Sequence, residues 1–217
     1  MLEPNDSYSQ HLIIFTRYPE IGQTKTRLIP ILGAEGAAHL QQQLTEQTVT
    51  LGRSLLAQKI ALRVYFAGGN MALMQKWLGQ KLAYFPQSGA DLGQRMEQAF
   101  AESFAQGAQQ VVLIGTDCPL LTEALIHQAF WQLTQREIVL GPAEDGGYYL
   151  IGLSRFLPAL FQGIDWGSDR VLAQTQAIIQ HHHYTVDYLP PLFDLDRPSD
   201  WQRWLALNHQ LSEDSAP

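Results

Sequence analysis

Residues 111–122, VVLIGTDCPLLT, decide the fold of this chain. The four apolar residues at 111–114 have the length and branching of a strand buried on both faces of a sheet. The run ends in GTD, and Thr122 indicates the N-cap of a helix over residues 123–135. In an open α/β sheet, ligands bind outside the carboxyl ends of the strands, so this order places Asp117 at a binding edge. A carboxylate there can hold a divalent cation; the alternative is that Asp117 only caps the helix or the turn.

Composition and charge exclude several classes of partner. The 217 residues are 46% hydrophobic and 16% charged, which is enough for one domain with a sizeable core. A net charge of −7 argues against non-specific electrostatic binding to nucleic acid or an anionic membrane. Any phosphate binding must therefore depend on a local cluster of basic side chains. The single cysteine, Cys118, excludes an internal disulfide framework and a cysteine-based zinc site. We find no signal-peptide pattern and no apolar run near the roughly 18 residues of a membrane span, and we expect a cytoplasmic protein.

Strands and helices alternate along the chain. Apolar runs predict strands at residues 11–16, 62–67, 81–86, 111–114, 137–141, 148–153 and 185–189, with helices between them and a last helix at 199–211. N-caps are predicted at Asn70, Asp91 and either Ser168 or Asp169. The short loop between 137–141 and 148–153 favours an antiparallel pair. We therefore predict a three-layer α/β/α sandwich with a mostly parallel mixed sheet, as one domain over residues 11–211 between a leader (1–10) and a disordered tail (212–217).

Positive charge is concentrated in the loop after the first strand. No G-x-G-x-x-G follows that strand, so a dinucleotide fingerprint is absent. Instead Lys25 and Arg27, with Arg17 just upstream, bring three cations together in an acidic protein. Arginine can hold a phosphate through two parallel hydrogen bonds, and this pattern favours phosphate contact. The alternative is that these cations are solvated or pair with Glu20.

Carboxylates follow two other strands. Asp194 and Asp196 alternate on a short extended segment and so share a face, and either can complete a site with Asp117. Magnesium takes oxygen ligands and relies on one or two carboxylates plus substrate phosphates. For one of the two C-terminal aspartates we expect a structural role, either capping the helix that begins at Ser199 or pairing with Arg197.

A third polar group, EDGG at residues 144–147, separates the two strands of the predicted antiparallel pair. Its glycines allow the backbone to approach a ligand closely, and its carboxylates can accept from sugar hydroxyls or deprotonate an acceptor. The same Asp-Gly step is also a strong hairpin signal, so a plain turn is an equal alternative.

Five strings occur in order over residues 11–204: FTRYPEIGQTKTRL, GADLGQRM, GTDCPLLT, GPAEDGGYYLIGL and DLDRPSD. Together they resemble a bacterial family of nucleotide-diphospho-sugar transferase-like proteins, whose members are often labelled glycosyltransferases and some of which are linked to arsenosugar biosynthesis. The resemblance implies the GT-A type fold, which sugar-nucleotide transferases share with nucleotidyltransferases such as the molybdenum-cofactor and phospholactate guanylyltransferases.

The resemblance also implies roles for individual residues. Asp117 matches the metal-binding aspartate and Asp196, with Asp194 beside it, the C-terminal acidic position, while Asp145 is the acceptor-side residue. We assign catalysis to Asp145 and Asp117, and substrate binding to Arg17, Gly22, Lys25, Arg27, Asp91, Gly93, Arg95, Thr116, Glu144, Gly146 and Gly147. The chain departs from the pattern at Arg197, where we expect threonine, and at residues 167–168, where we expect Ser-Thr. Both departures concern the acceptor side.

We expect a glycosyltransferase-like enzyme that depends on Mg²⁺ or Mn²⁺ and uses a nucleotide-diphospho-sugar donor and a small-molecule acceptor. The alternative is a guanylyltransferase-like nucleotidyltransferase, in which a phosphorylated acceptor attacks a nucleoside triphosphate. A third hypothesis is a non-catalytic nucleotide- or sugar-binding protein. The missing glycine-rich loop after the first strand favours the first hypothesis over the second. Neither nucleic acid nor a membrane is expected as a partner.

Overall fold

The protein is built on one seven-stranded sheet. A computed structural model describes residues 8–213, with side chains up to residue 208, so most of the expected leader and tail lies outside the described residues. The strands are β1 (Gln10–Arg17), β2 (Ile60–Ala67), β3 (Ala83–Pro86), β4 (Gln110–Ile114), β5 (Ile138–Pro142), β6 (Tyr148–Leu153) and β7 (Val186–Tyr188). Their order in the sheet is β3-β2-β1-β4-β6-β5-β7.

The sheet is mixed, as the sequence predicts. β6 runs antiparallel to both of its neighbours, β4 and β5, while the other pairings in the described chain are parallel. The short EDGG connection allows β6 to turn straight back beside β5, and β6 then fills the position next to β4. Because β2 and β4 lie on opposite sides of β1, the strand order reverses there, and a crevice opens at the carboxyl ends of β1 and β4.

The described residues form six α-helices, five of which cover the two faces of the sheet. The six are α1 (Ile29–Ser54), α2 (Met71–Leu78), α3 (Leu92–Ala105), α4 (Glu123–Gln132), α5 (Val171–His182) and α6 (Pro198–Glu213). α1 begins five residues before the predicted start near residue 34, and the helix is interrupted at Gly33, whose φ is +70°. Its predicted end at about residue 58 is a 3₁₀ turn, Leu55–Gln58.

Three of the predicted helix caps are confirmed. Asn70, Asp91 and Thr122 each accept a hydrogen bond from the backbone N–H three residues later. The prediction that Ser168 or Asp169 caps α5 is wrong: the N-cap is Arg170, with no side-chain cap bond. The backbone carbonyl of Gly146 accepts from Leu172 N–H and so satisfies a donor of the first turn.

Alternating apolar residues of each strand build two separate cores. Leu12 and Ile14 of β1 pack under α1, α2 and α4, whereas Ile13 and Phe15 pack under α3 and α5. This alternation is the period of two that a strand imposes on its side chains. The three-layer α/β/α sandwich is therefore confirmed.

The last helix, α6, packs beside the loop that follows β1. Trp201 and Trp204 of α6 pack on a third apolar cluster that includes Leu28 and Leu195. This packing brings the C-terminal segment against the start of α1, at the carboxyl edge of β1. Within residues 8–213, no helix combines the length and apolar character needed to cross a membrane.

Candidate active site

Lys25 joins three distant segments of the chain at the carboxyl edge of the sheet. Its Nζ donates to Leu195 O and lies next to Asp117 Oδ1, each at 2.7 Å, and it is 4.0 Å from Asp196 Oδ1. Its side chain is only 2% exposed, and its φ of +48° places the backbone in the left-handed region. Leu195 N–H also donates to Asp117 O at 2.8 Å. The first loop, the end of β4 and the C-terminal segment therefore meet at one ammonium group.

Arg27 lies beside this junction but faces solvent. Its Nη1 forms an ion pair with Asp196 Oδ2, and its side chain is 58% exposed. The alternative in which the loop cations pair with Glu20 is therefore wrong for Lys25 and Arg27, since both bind the carboxylates that the sequence assigns to a metal. An exposed guanidinium retains free donors, so Arg27 can exchange or share its partner with a phosphate.

Asp194 faces the interior and bonds to the only cysteine. Cys118 Sγ donates to Asp194 Oδ1 at 2.9 Å and to Phe193 O at 3.3 Å. Burial raises the pKa of Asp194 to about 7, against the opposing effect of the thiol hydrogen bond. Burial and the neighbouring Asp194 carboxylate raise the pKa of Cys118, which keeps it a thiol.

The structural role expected for Asp194 or Asp196 belongs instead to Asp200. The Asp200 carboxylate accepts from the backbone N–H groups of Asp196 and Arg197, at 3.2 and 2.7 Å. Asp196 is consequently available to Lys25 and Arg27.

A long cleft runs along the carboxyl edge, and we divide it into two halves. The cationic half has a volume of about 610 Å³ and is lined by residues that include Arg17, Lys25, Arg27, Arg95, Thr116, Asp117 and Asp196. The aromatic half has a volume of about 290 Å³ and is lined by residues that include Phe15, Leu92, Asp145, Gly147, Tyr148, Trp166, Ser168 and Asp169. Asp194, Arg27 and Tyr148 line both halves, so the two are continuous.

The EDGG segment turns between β5 and β6 at the aromatic half. Asp145 Oδ1 accepts from Gly147 N–H at 2.9 Å, which stabilises the turn and leaves the carboxylate on the cleft wall. Glu144 points away toward α6, where it pairs with Arg203, and this hydrogen bond lowers the pKa of Glu144. Asp145 can therefore both stabilise the turn and contact a ligand. Glu144 lines a separate cavity beside the cleft, which we call the outer groove.

Five predicted binding residues lie outside the lining of both halves, and one of them is Glu144 of the outer groove. Asp91 caps α3, and Gly22 lies on an exposed loop with φ of +78°. A Cβ at Gly93 would overlap Trp166 Nε1, and one at Gly146 would overlap Asp169 O. In this structure Gly93 and Gly146 set the position of residues that do line the aromatic half.

The donor set suits a divalent cation that is shared with a phosphate. No group of three or more histidine, cysteine, aspartate or glutamate side chains within the described part of the chain is arranged to hold a metal. Asp117 and Asp196 approach the same ammonium nitrogen, and the side chain of Asp117 is 44% exposed toward the cleft. Magnesium typically uses one or two protein carboxylates plus substrate phosphates, so these two residues fit that role without a third.

Sequence reasoning missed the aromatic wall and one amide. Tyr148 and Trp166 meet edge to face, with ring centroids 6.4 Å apart. Gln87 Nε2 donates to Thr16 O and Tyr65 O, each at 3.1 Å, and Gln87 lines the far end of the cationic half. Tyr148 begins a predicted strand directly after EDGG, which was a usable signal; Trp166 and Gln87 lie in loops without any pattern.

Comparison with known proteins assigns a family. Residues 50–168 match the family described as "uncharacterized protein conserved in bacteria" (DUF2064). The chain belongs to this family. A nucleotide-diphospho-sugar transferase-like protein from Desulfovibrio desulfuricans G20 has a similar structure, with a TM-score of 0.82 and 32% sequence identity over 88% of this chain and 83% of that one. This match confirms the resemblance drawn from the five strings.

Two more distant proteins extend the comparison. A phosphoenolpyruvate guanylyltransferase from Chloroflexus aggregans is 22% identical over 84% of this chain and 91% of its own length. Rv0371c from Mycobacterium tuberculosis, in a complex with manganese, has a TM-score of 0.53 and 15% identity over 91% of this chain and 98% of that one, a likeness of fold alone. The named relatives thus support a family of nucleotidyl or sugar transferases.

We predict that Lys25→Met lowers the free energy of unfolding by about 2 kcal/mol, because it leaves Leu195 O and Asp117 without a charged donor. Arg27→Met removes an exposed pair and is expected to cost less than about 1 kcal/mol. Urea unfolding of both variants measures the difference. Equal losses of unfolding free energy in the two variants would contradict the role of Lys25 in joining the three segments.

Asp194 gives a pH-dependent prediction. Because its pKa is raised in the folded state, the folded protein binds more protons than the unfolded chain between about pH 4 and pH 7, and stability falls as pH rises through this window. Asp194→Asn cannot titrate, so the stability of wild type relative to this variant should drop by at least about 1 kcal/mol over that range. Urea unfolding in the presence of EDTA at several pH values measures it, and a difference that is constant or rises with pH would refute the assignment.

Proposed function

We propose that this protein is a glycosyltransferase that uses a nucleotide-diphospho-sugar and a divalent metal ion. The observation that carries the proposal is the division of one cleft into a cationic half and an aromatic half that meet at the carboxyl ends of β1 and β4. A diphosphate requires the first environment, and a sugar ring, with an apolar face and polar edges, requires the second.

The cationic half is suited to the diphosphate of the donor. Arg17, Arg27 and Arg95 line it, and the exposed Arg27 has donors to spare for phosphate oxygens. Lys25 has a different task, because its ammonium is already engaged with Leu195 O and Asp117 and holds the carboxylates in place. When bound at Asp117 and Asp196, Mg²⁺ or Mn²⁺ supplies positive charge that stabilises the departing diphosphate.

The aromatic half is suited to the sugar and the acceptor. Asp145 lies on its wall with one carboxylate oxygen committed to Gly147 N–H, and this bond fixes its direction. In the reaction, the acceptor oxygen bonds to the anomeric carbon, and the bond from that carbon to the diphosphate breaks with its electron pair going to the diphosphate. Asp145 orients the acceptor hydroxyl and receives its proton.

Nucleotidyl transfer is the second candidate, and the relationship to a phosphoenolpyruvate guanylyltransferase favours it. In that reaction a phosphorylated acceptor attacks the α-phosphate of a nucleoside triphosphate, and pyrophosphate leaves. Two observations favour glycosyl transfer: the higher identity to the nucleotide-diphospho-sugar transferase-like protein, and the loop at residues 18–24, which contains one glycine where nucleotidyltransferases usually carry a glycine-rich loop. Both reactions would use the same cations and carboxylates, so product analysis must separate them.

The test is a thermal-shift screen of nucleotide-sugars and nucleoside triphosphates with and without Mg²⁺ or Mn²⁺. We expect a metal-dependent rise in Tm with one nucleotide-sugar, since ligand binding to the folded state stabilises it by mass action. Asp117→Asn should lose this rise. Asp145→Asn should keep it but lower turnover by about 10²- to 10⁴-fold, because it removes only the proton acceptor.

Glu35→Gln, an exposed acid outside the cleft, is the control and should behave as wild type. Phosphorus NMR of the products distinguishes the reactions: a nucleoside diphosphate indicates glycosyl transfer, and pyrophosphate indicates nucleotidyl transfer. Binding without turnover in wild type would support the non-catalytic hypothesis. No shift with any nucleotide would contradict a nucleotide-dependent enzyme.

A further inference from the structure

The two halves of the cleft differ in charge as well as in polarity. The cationic half carries four basic side chains, Arg17, Lys25, Arg27 and Arg95. The aromatic half is lined by Arg27 and Arg197 against Asp145, Asp169 and Asp194. It opens into the outer groove, about 480 Å³ in volume, whose lining includes Glu144, Asp145, Asp169, Asp194, Asp196, Asp200 and a single basic side chain, Arg197. Basic side chains outnumber acidic ones in the cationic half, and acidic ones outnumber basic ones from the aromatic half outward.

Some of these acids are already neutralised by the protein. Glu144 pairs with Arg203, and Asp196 pairs with Arg27. Asp145 and Asp169 take part in none of the ion pairs found among the described residues, and both line the aromatic half as well as the outer groove. Asp194, which accepts from the Cys118 thiol, also lines both cavities and forms no ion pair among the described residues. Three carboxylates thus face whatever enters from this side.

The aromatic wall indicates, independently of the acids, that this cavity receives a molecule with an apolar face. Trp166 lines the cavity while its ring packs over the backbone of Gly93, where any larger residue would overlap its Nε1. Its edge-to-face contact with Tyr148 fixes the ring further. Leu92, 44% exposed, faces the same cavity. Exposed apolar side chains held at a cleft are typical of a binding surface.

We infer that the acceptor is a hydroxyl compound with an apolar ring face and no phosphate or carboxylate group. A phosphorylated acceptor would bring its charge beside Asp145 and Asp169, where like charges repel in a partly desolvated cleft. A neutral or amino-bearing polyol gains hydrogen bonds from the same carboxylates. This inference rests on the proposed function, because it takes the aromatic half as the acceptor side.

The inference separates this chain from the guanylyltransferase relative in one respect. A phosphorylated acceptor needs cations at its binding position, and the outer groove supplies Arg197 against the unpaired Asp145 and Asp169. The acidic wall selects against anionic acceptors while the cationic half attracts the anionic donor. Charge then directs the donor to the cationic half and the acceptor to the aromatic half.

The test uses three matched probes: glucose, glucosamine and glucose 6-phosphate. Their dissociation constants are measured by saturation-transfer NMR on the full chain, with and without Mg²⁺ and the nucleoside diphosphate of the nucleotide-sugar that raises Tm most. We expect glucose and glucosamine to bind and glucose 6-phosphate to bind at least tenfold more weakly. Saturating nucleoside diphosphate should leave glucosamine bound, since the diphosphate has no donor sugar and occupies only the cationic half.

Asp169→Asn removes one carboxylate from the wall and is expected to shift these affinities in opposite directions. The affinity for glucosamine should fall by about threefold to tenfold, and the affinity for glucose 6-phosphate should rise by a similar factor. The affinity for glucose should change by less than about twofold. Glu35→Gln makes the same change of charge outside the cleft and should leave all three unchanged.

Equal or tighter binding of glucose 6-phosphate to wild type would overturn the inference, and so would the failure of all three probes to bind. The proposed function has a separate readout. Preference for uncharged probes without any nucleotide binding would refute the proposed function and leave the charge selectivity of the cavity standing. Nucleotide binding with preference for the phosphorylated probe would refute the acceptor class alone.

Discussion

The ammonium group of Lys25 is the contact on which the site depends. A buried charge is costly unless it is paired and hydrogen-bonded, and this one is both: it donates to Leu195 O and faces the Asp117 carboxylate. The bond to Leu195 spans 170 positions of the sequence. It fixes the C-terminal segment against the end of β4, and so places Asp196 beside Asp117. The left-handed backbone of Lys25 is the local strain that directs its side chain into this junction.

Charge is distributed so that an acidic protein can still receive an anion. The overall charge is −7, but four basic side chains are gathered on one half of a single cleft. Lys25 holds Asp117 in place, while Arg27 pairs with Asp196 and remains 58% exposed to a ligand. The neighbouring half has aromatic rings and unpaired acids beside Arg27 and Arg197. The proposed recognition of a nucleotide-sugar and of an uncharged acceptor rests on this division, and the proposed metal ion would bind at Asp117 and Asp196.

The fold was predictable because its signals are local. Alternating apolar residues such as Ile13 and Ile14 face opposite cores in β1, and Asn70, Asp91 and Thr122 cap the helices that they precede. The cap of α5 was mispredicted because Gly146, more than twenty residues earlier, supplies the acceptor through its backbone. No reading of the residues around Ser168 can find a partner of that kind.

The site was predictable as a set of residues but not as a set of contacts. The carboxyl edge of a parallel sheet gathers the residues that follow its strands, so Asp117, Lys25 and Asp196 could be placed together from their order. The separate roles of the two cations could not be predicted, because they depend on which side chain is buried. Lys25 is enclosed, and Arg27 is exposed. Trp166 was missed for a similar reason, since its role follows from packing on Gly93, which is 73 positions away.

The most direct measurement is a crystal structure of the protein with a nucleoside diphosphate and Mg²⁺. The account predicts the diphosphate in the cationic half, within about 4 Å of the Arg27 guanidinium, with the metal between the phosphates and the carboxylates of Asp117 and Asp196. Lys25 should still donate to Leu195 O. A diphosphate that lies against Trp166 and Asp145, or a Lys25 side chain displaced from Leu195 by the ligand, would contradict the account.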